Sequence, residues 1–182
     1  GDTLDSVSFP TTGWRGYAEL QSLHPWLGTH SDGRIARASV DWAHSWDRYH
    51  LLLGARASSA LDDGLFFQAN TFLGGFLNLS GYAERSLVGT QAALGRAVLY
   101  RRTGGDATGI FSVPMYVGTS LEAGNVWSSR SAFGDGGLIV GGSLFLGFDT
   151  PLGPVFLGYG RSERGAESWY LTFGSLLRED PR

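Results

Sequence analysis

The chain contains no cysteine, and its fourteen basic residues are all arginine. Without thiols there is neither a disulfide framework nor a cysteine-ligated metal site. The net charge is −3, and Arg101-Arg102 is the only pair of adjacent arginines, so no basic field exists to gather nucleic acid. No apolar run approaches the roughly 18 residues of a membrane-spanning helix. The opening GDTLDSVSFP lacks the charged and apolar regions of a signal peptide. These absences leave strands as the way to organise the chain, in a soluble sheet or in a membrane, where a strand needs only about 10 residues.

Glycine is plentiful, 28 of 182 residues. It has no period of three and is accompanied by only six prolines, which excludes collagen, and a chain that is 42% hydrophobic and 13% aromatic is not disordered. Glycine at this level suits a curved sheet, where it relieves crowding and supplies turns. The length is that of one domain, residues 1–182, with about eight strands.

The clearest pattern lies between Leu138 and Leu177. Val140, Leu144, Leu146 and Phe148 share one face, opposite Gly141, Ser143 and Gly147. The alternation resumes as Val155, Leu157, Tyr159 after Pro151-Leu152-Gly153-Pro154, and as Trp169, Leu171, Phe173 after Gly165. Upstream, Trp14, Gly16, Ala18, Leu20 oppose Arg15, Tyr17, Glu19, Gln21; Ala36, Ala38, Val40, Trp42 oppose Arg37, Ser39, Asp41; and Leu51, Leu53, Ala55, Ala57 oppose Leu52, Gly54, Arg56, Ser58. The pattern predicts an antiparallel meander with strands near 13–22, 34–45, 49–60, 91–102, 109–124, 137–149, 153–162 and 167–177. Pro114 cannot donate to a ladder, so a bulge is expected there. A soluble sandwich would bury the apolar faces; a transmembrane barrel would turn them to lipid. Trp and Tyr residues near strand ends favour the barrel.

Two places resist the alternation. Arg96 falls in register with Leu94 and Val98 on a face read as apolar, which calls for a bulge or a snorkelling side chain. The connection from Asp62 to Thr90 is long and apolar, and should fold inward or pack on a neighbour instead of standing in solvent; an edge strand near 71–77 is the simpler alternative. Glu19, Asp41, Arg56, Arg96, Arg101 and Glu122 are read as interior residues that pair with one another.

No catalytic constellation stands out. Gly118-Thr119-Ser120-Leu121-Glu122 and Gly141-Gly142-Ser143-Leu144-Phe145 both lack the closing glycine of a nucleophile elbow. Asp135-Gly136-Gly137 therefore reads as a turn. His24, His30, His44 and His50 make no metal-ligand spacing. Ser45 stands beside His44 and Ser22 near His24, yet nothing else marks either as a nucleophile. The chain is expected to be no enzyme, with no catalytic, cofactor-binding or metal residues.

Four motifs carry a resemblance. Phe9-Pro10-Thr11-Thr12-Gly13-Trp14, Phe72-Leu73-Gly74-Gly75, Glu122-Ala123-Gly124-Asn125-Val126-Trp127 and Thr150-Pro151-Leu152-Gly153-Pro154 resemble, in order and spacing, segments of the bacterial surface antigen family of outer-membrane barrels. Phe72 to Tyr82 is most similar to the barrel of patatin-like phospholipase autotransporters. The resemblance implies an all-β antiparallel transmembrane barrel in the bacterial outer membrane, of which this chain is the C-terminal half, about eight strands within a larger closed barrel. It implies that the chain anchors or displays a phospholipase or other passenger carried elsewhere, with a translocation or insertion barrel and a small barrel phospholipase as alternatives. The implied partners are outer-membrane lipid and either a second copy or another segment completing the barrel. Leu79, Ser80, Gly81 and Tyr82 fall at the tip of the inward loop, where the translocators carry an arginine that anchors the loop. Ser80 offers no such charge. The terminal aromatic of the family is also absent, since Arg178 to Arg182 follow Leu177.

Overall fold

The computed structural model describes residues 1–23, 33–62, 70–104 and 113–177. Ten strands follow in order: β1 (Gly13–Leu23), β2 (Gly33–Trp46), β3 (Tyr49–Ala60), β4 (Thr71–Leu73), β5 (Leu87–Gly89), β6 (Gln91–Gly104), β7 (Met115–Trp127), β8 (Ile139–Thr150), β9 (Gly153–Ser162) and β10 (Glu167–Phe173). Eight form one antiparallel sheet in the order β1-β2-β3-β6-β7-β8-β9-β10, while β4 and β5 form a separate hairpin in the long connection. Strand formation follows the period of two. Trp14, Trp42, Leu53, Ala97, Leu121 and Gly142 lie in register across six strands on one face.

The 71–77 segment is not an edge strand of the main sheet: only Thr71–Leu73 is extended, paired with Leu87–Gly89. Pro114 stands just ahead of β7, so the strand starts after it, and the register shift falls between Arg102 and Gly104. The stretches 24–32, 63–69, 105–112 and 178–182, with His24, Trp26, His30, Leu65 and the terminal arginine, lie outside the described residues.

The segment 74–86 folds over one face of the sheet. Its Asn78 Oδ1 accepts a hydrogen bond from Arg56 of β3, while Gly81 N–H donates to Tyr170 Oη of β10 at 2.9 Å. Five strand spacings separate β3 from β10, about 24 Å on a flat sheet. Residues 78 to 81 reach laterally only about 10 Å, and side chains standing off a sheet add height, not width. The sheet is therefore curled around the segment. Phe76 and Leu77 pack there with Leu52, Val98, Tyr100, Phe145 and Phe156, joined by Phe9 from the N-terminal stretch and Leu176 and Leu177 after β10.

This geometry corrects the expected barrel. The meander forms, but among the described residues β1 pairs within the sheet only with β2, and β10 only with β9. The sheet is open, with two edges. Alternation specifies which side chains share a face; it carries no term for whether the first and last strands meet. The outer-membrane placement came with the closed barrel that the resemblance implied, and it is set aside together with the larger closed barrel.

The face assignment at β6 also changes. Leu94, Val98 and Tyr100 are buried under the loop, while Ala93, Gly95, Ala97 and Leu99 lie outside. Arg96 is on the inner face with no bulge beside it, because the apolar neighbours it keeps are core residues.

Candidate functional site

The buried centre of the inner face is Glu122, 1% exposed. It projects inward because it alternates with Leu121, which is exposed on the outer face. One carboxylate oxygen accepts the main-chain N–H groups of Leu79 at 2.6 Å and Ser80 at 2.7 Å. The other accepts Ser80 Oγ–H at 2.8 Å and Ser120 Oγ–H at 2.6 Å. Since Ser120 gives its proton to Glu122, Ser143 donates in the 2.7 Å contact between the two serine hydroxyls. Four donors satisfy this buried carboxylate without an arginine.

The loop adopts an irregular backbone to present these amides. Leu77 and Leu79 lie at φ of 56° and 75°, left-handed values that leucine seldom takes. Ser80 Oγ also accepts Leu77 N–H at 3.2 Å, and Arg96 donates to Leu77 O at 3.3 Å. Tyr170 Oη–H donates to Tyr82 O at 2.8 Å. Two glycines on the inner face let the loop approach: a Cβ at Gly160 would sit 2.7 Å from Ser80 Cβ, and one at Gly141 would sit 2.5 Å from Ser80 O.

The structure places Leu79, Ser80 and Gly81 in buried positions against β7, β8 and β9, with Tyr82 half-buried beside Tyr170. The missing loop arginine leaves no gap. The strand supplies the charge and the loop supplies neutral donors. Glu122 as the acceptor was not legible as such; its one sequence signal was an acidic residue at an inward position opposite a glycine-rich strand.

The other interior charges sort into pairs. Asp41 accepts Arg96 at 2.9 Å and lies 3.6 Å from Arg15. Arg37 lies 3.8 Å from Glu19. Arg101 belongs elsewhere, on the outer face at the exposed end of β6.

The serine and histidine candidates do not assemble a nucleophile. His44 lies on the outer face, stacked between Trp42 and Trp46 with centroids 5.6 and 6.2 Å away. Ser45 points inward and meets His50 instead, Oγ to Nδ1 at 2.6 Å. Ser45 Oγ–H donates to Thr11 O at 2.5 Å, so Nδ1 carries the proton in the His50 contact and cannot take one from Ser45. The pair ties down the N-terminal stretch, as does Tyr100 Oη–H donating to Pro10 O. Asp135 and Gly136 sit in an exposed turn after β7, and Ser22 is exposed at the far end of β1. Among the described residues no cluster of three or more His, Asp or Glu side chains could hold a metal.

The outer face is the mirror image in polarity. Leu20, Leu121, Leu144, Trp169, Leu171 and Phe173 are each more than 60% exposed. Among the described residues, charges on this face stand only near strand ends, at Arg34, Arg101, Arg161 and Glu167. No family model matches the chain and no curated protein matches it, so the resemblance to bacterial surface antigen barrels and phospholipase autotransporters is not sustained, and the anchoring, translocating and barrel-phospholipase roles it implied are withdrawn with it.

Proposed function

We propose that this chain is a non-catalytic, lipid-contacting sheet whose outer face is covered by acyl chains. The observation that carries the reading is the uncharged apolar band on that face. From Val140 to Phe148 on β8 it runs about 27 Å at roughly 3.4 Å per residue. Exposed apolar surface on this scale marks an interaction surface. The curl of the sheet makes the face convex, and a rigid flat or convex partner would touch only part of it, whereas fluid chains follow its shape. Trp14, Trp42, Trp46 and Tyr49 gather at one end of the strands, and Tyr159 and Trp169 near the other, as side chains with an apolar body and a polar tip do at a water boundary. Asp41, Arg96, Glu122, Arg37 and Glu19 each already have an ion-pair or hydrogen-bond partner, which supports a binding role over a chemical one.

The test uses vesicles of phosphatidylcholine brominated on the acyl chains and variants that retain one tryptophan. Trp169, on the outer face, should be quenched, while Trp127, buried beside Phe133, should not. A chain that stays monodisperse in plain buffer, with Trp169 unquenched, overturns lipid contact; hydrolysis of the lipid by the purified chain overturns the non-catalytic part.

A further inference from the structure

The two edges of the sheet have matching free sides. On β1, Trp14 and Gly16 turn their main-chain groups away from β2 and bond the first residues of the chain: Thr3 N–H donates to Trp14 O at 2.8 Å, and Gly16 and Gly1 exchange bonds at 2.9 Å. The period of two gives Ala18, Leu20 and Ser22 the same outward-turned groups, and among the described residues no segment pairs with them. On β10, Ser162 N–H donates to Ala166 O and Gly174 N–H to Pro154 O, so the even positions bond β9. Glu167, Trp169, Leu171 and Phe173 therefore face the free edge.

We propose that β1 of one copy pairs antiparallel with β10 of a second copy, with Leu20 opposite Leu171. Eight antiparallel strands place β1 and β10 in opposite directions, so two copies laid side by side with the same face outward meet in the antiparallel sense. Gly1 and Thr3 occupy Gly16 and Trp14, and among the described residues Ala18 is the next position on this edge with no pairing partner. Setting Ala18 against Phe173, Leu20 against Leu171 and Ser22 against Trp169 uses that edge without displacing Gly1 or Thr3. The lengths agree, since the stretch from Tyr17 to Leu23 equals the 7 residues of β10. Polarity agrees on both faces as well. Leucine meets leucine outside, while Glu19 and Gln21 meet Thr172 and Tyr170 inside, and a slip of one residue would lose the match. The contact continues the apolar outer face unbroken from copy to copy. It rests on backbone pairing at edges that have no partner among the described residues, so it stands or falls separately from lipid contact.

The test exploits the absence of native cysteine. Leu20→Cys and Leu171→Cys variants of the chain are mixed in detergent and oxidised. The expected product is the mixed disulfide between the two variants, in severalfold excess over links between identical variants. Leu20→Pro removes an N–H that points only to the free edge, so it should leave strand content intact and reduce the assembled fraction measured by light scattering at least tenfold. Should that variant fail to fold, Leu171→Pro tests the other edge in the same way. Monomeric wild-type chain, a fast link within one chain of the double cysteine variant, or unlinked thiols that still react with maleimide each overturn the proposal.

Discussion

Glu122 and Ser80 are joined twice, by a main-chain N–H at 2.7 Å and by a hydroxyl at 2.8 Å, across 42 residues of sequence. The pair fixes the inward segment to the middle of the sheet. Glu122→Ala leaves two buried amides without acceptors, each costing about 1–3 kcal/mol. The midpoint of chemical denaturation should fall by the sum of these, and trypsin should cut at exposed Arg85 faster than in the parent chain. Unchanged cleavage would mean that the apolar contacts of Phe76 and Leu77 hold the segment without the carboxylate.

Gly160 is a seat for the loop, not a hinge. A methyl group there meets Ser80 Cβ at 2.7 Å and Gly81 N at 2.8 Å, and overpacking of this kind costs about 1–3 kcal/mol. Gly95, on the outer face of the neighbouring region, offers a control, because its added methyl would meet only Ala123 O at 4.0 Å. Denaturant titration should show Gly160→Ala destabilised and Gly95→Ala neutral or slightly more stable.

Asp41 balances Arg96 and Arg15, whose side chains are only 17% and 20% exposed. Asp41→Ala leaves two cations close together in a poorly solvated place, and loss of one partner of a buried pair costs about 3–5 kcal/mol. Combining it with Arg96→Met should recover a large part of that loss. A double-mutant cycle giving a coupling energy near zero would show that solvent already screens the pair.

Asp5 holds the N-terminal stretch. Burial raises its carboxyl, but Thr11 Oγ1–H and the N–H groups of Thr11 and Thr12 outweigh that effect, so it lies below the ordinary aspartate range. A group depressed in the folded chain contributes stability that is complete above its unfolded value of about 3.9 and is lost as pH falls through the lower folded value. Between wild type and Asp5→Asn, the stability difference should therefore be constant from neutral pH to about 5 and shrink toward zero in stronger acid. A gap that persists in strong acid would place the effect in the unfolded chain.

Period-two alternation determined the eight long strands and the outer face of β7 to β10, because a side chain's face in a strand depends only on position parity, which is local. At β6 it grouped Leu94, Val98 and Tyr100 on one apolar face but left open that this face forms core with the inward segment, which is why Arg96 read as out of place there. Parity separates two faces without saying which one is inside. Ser45 stood beside His44 in sequence but meets His50 across the β2–β3 turn, since adjacent strand residues point to opposite faces. The long apolar connection announced a need for cover. What it packs on, and that Glu122 holds it through main-chain amides, depended on bringing residues 42 positions apart together on a curled sheet. The open edges are likewise a tertiary outcome: whether β1 reaches β10 depends on accumulated twist and curl over eight strands, and no single residue encodes that sum.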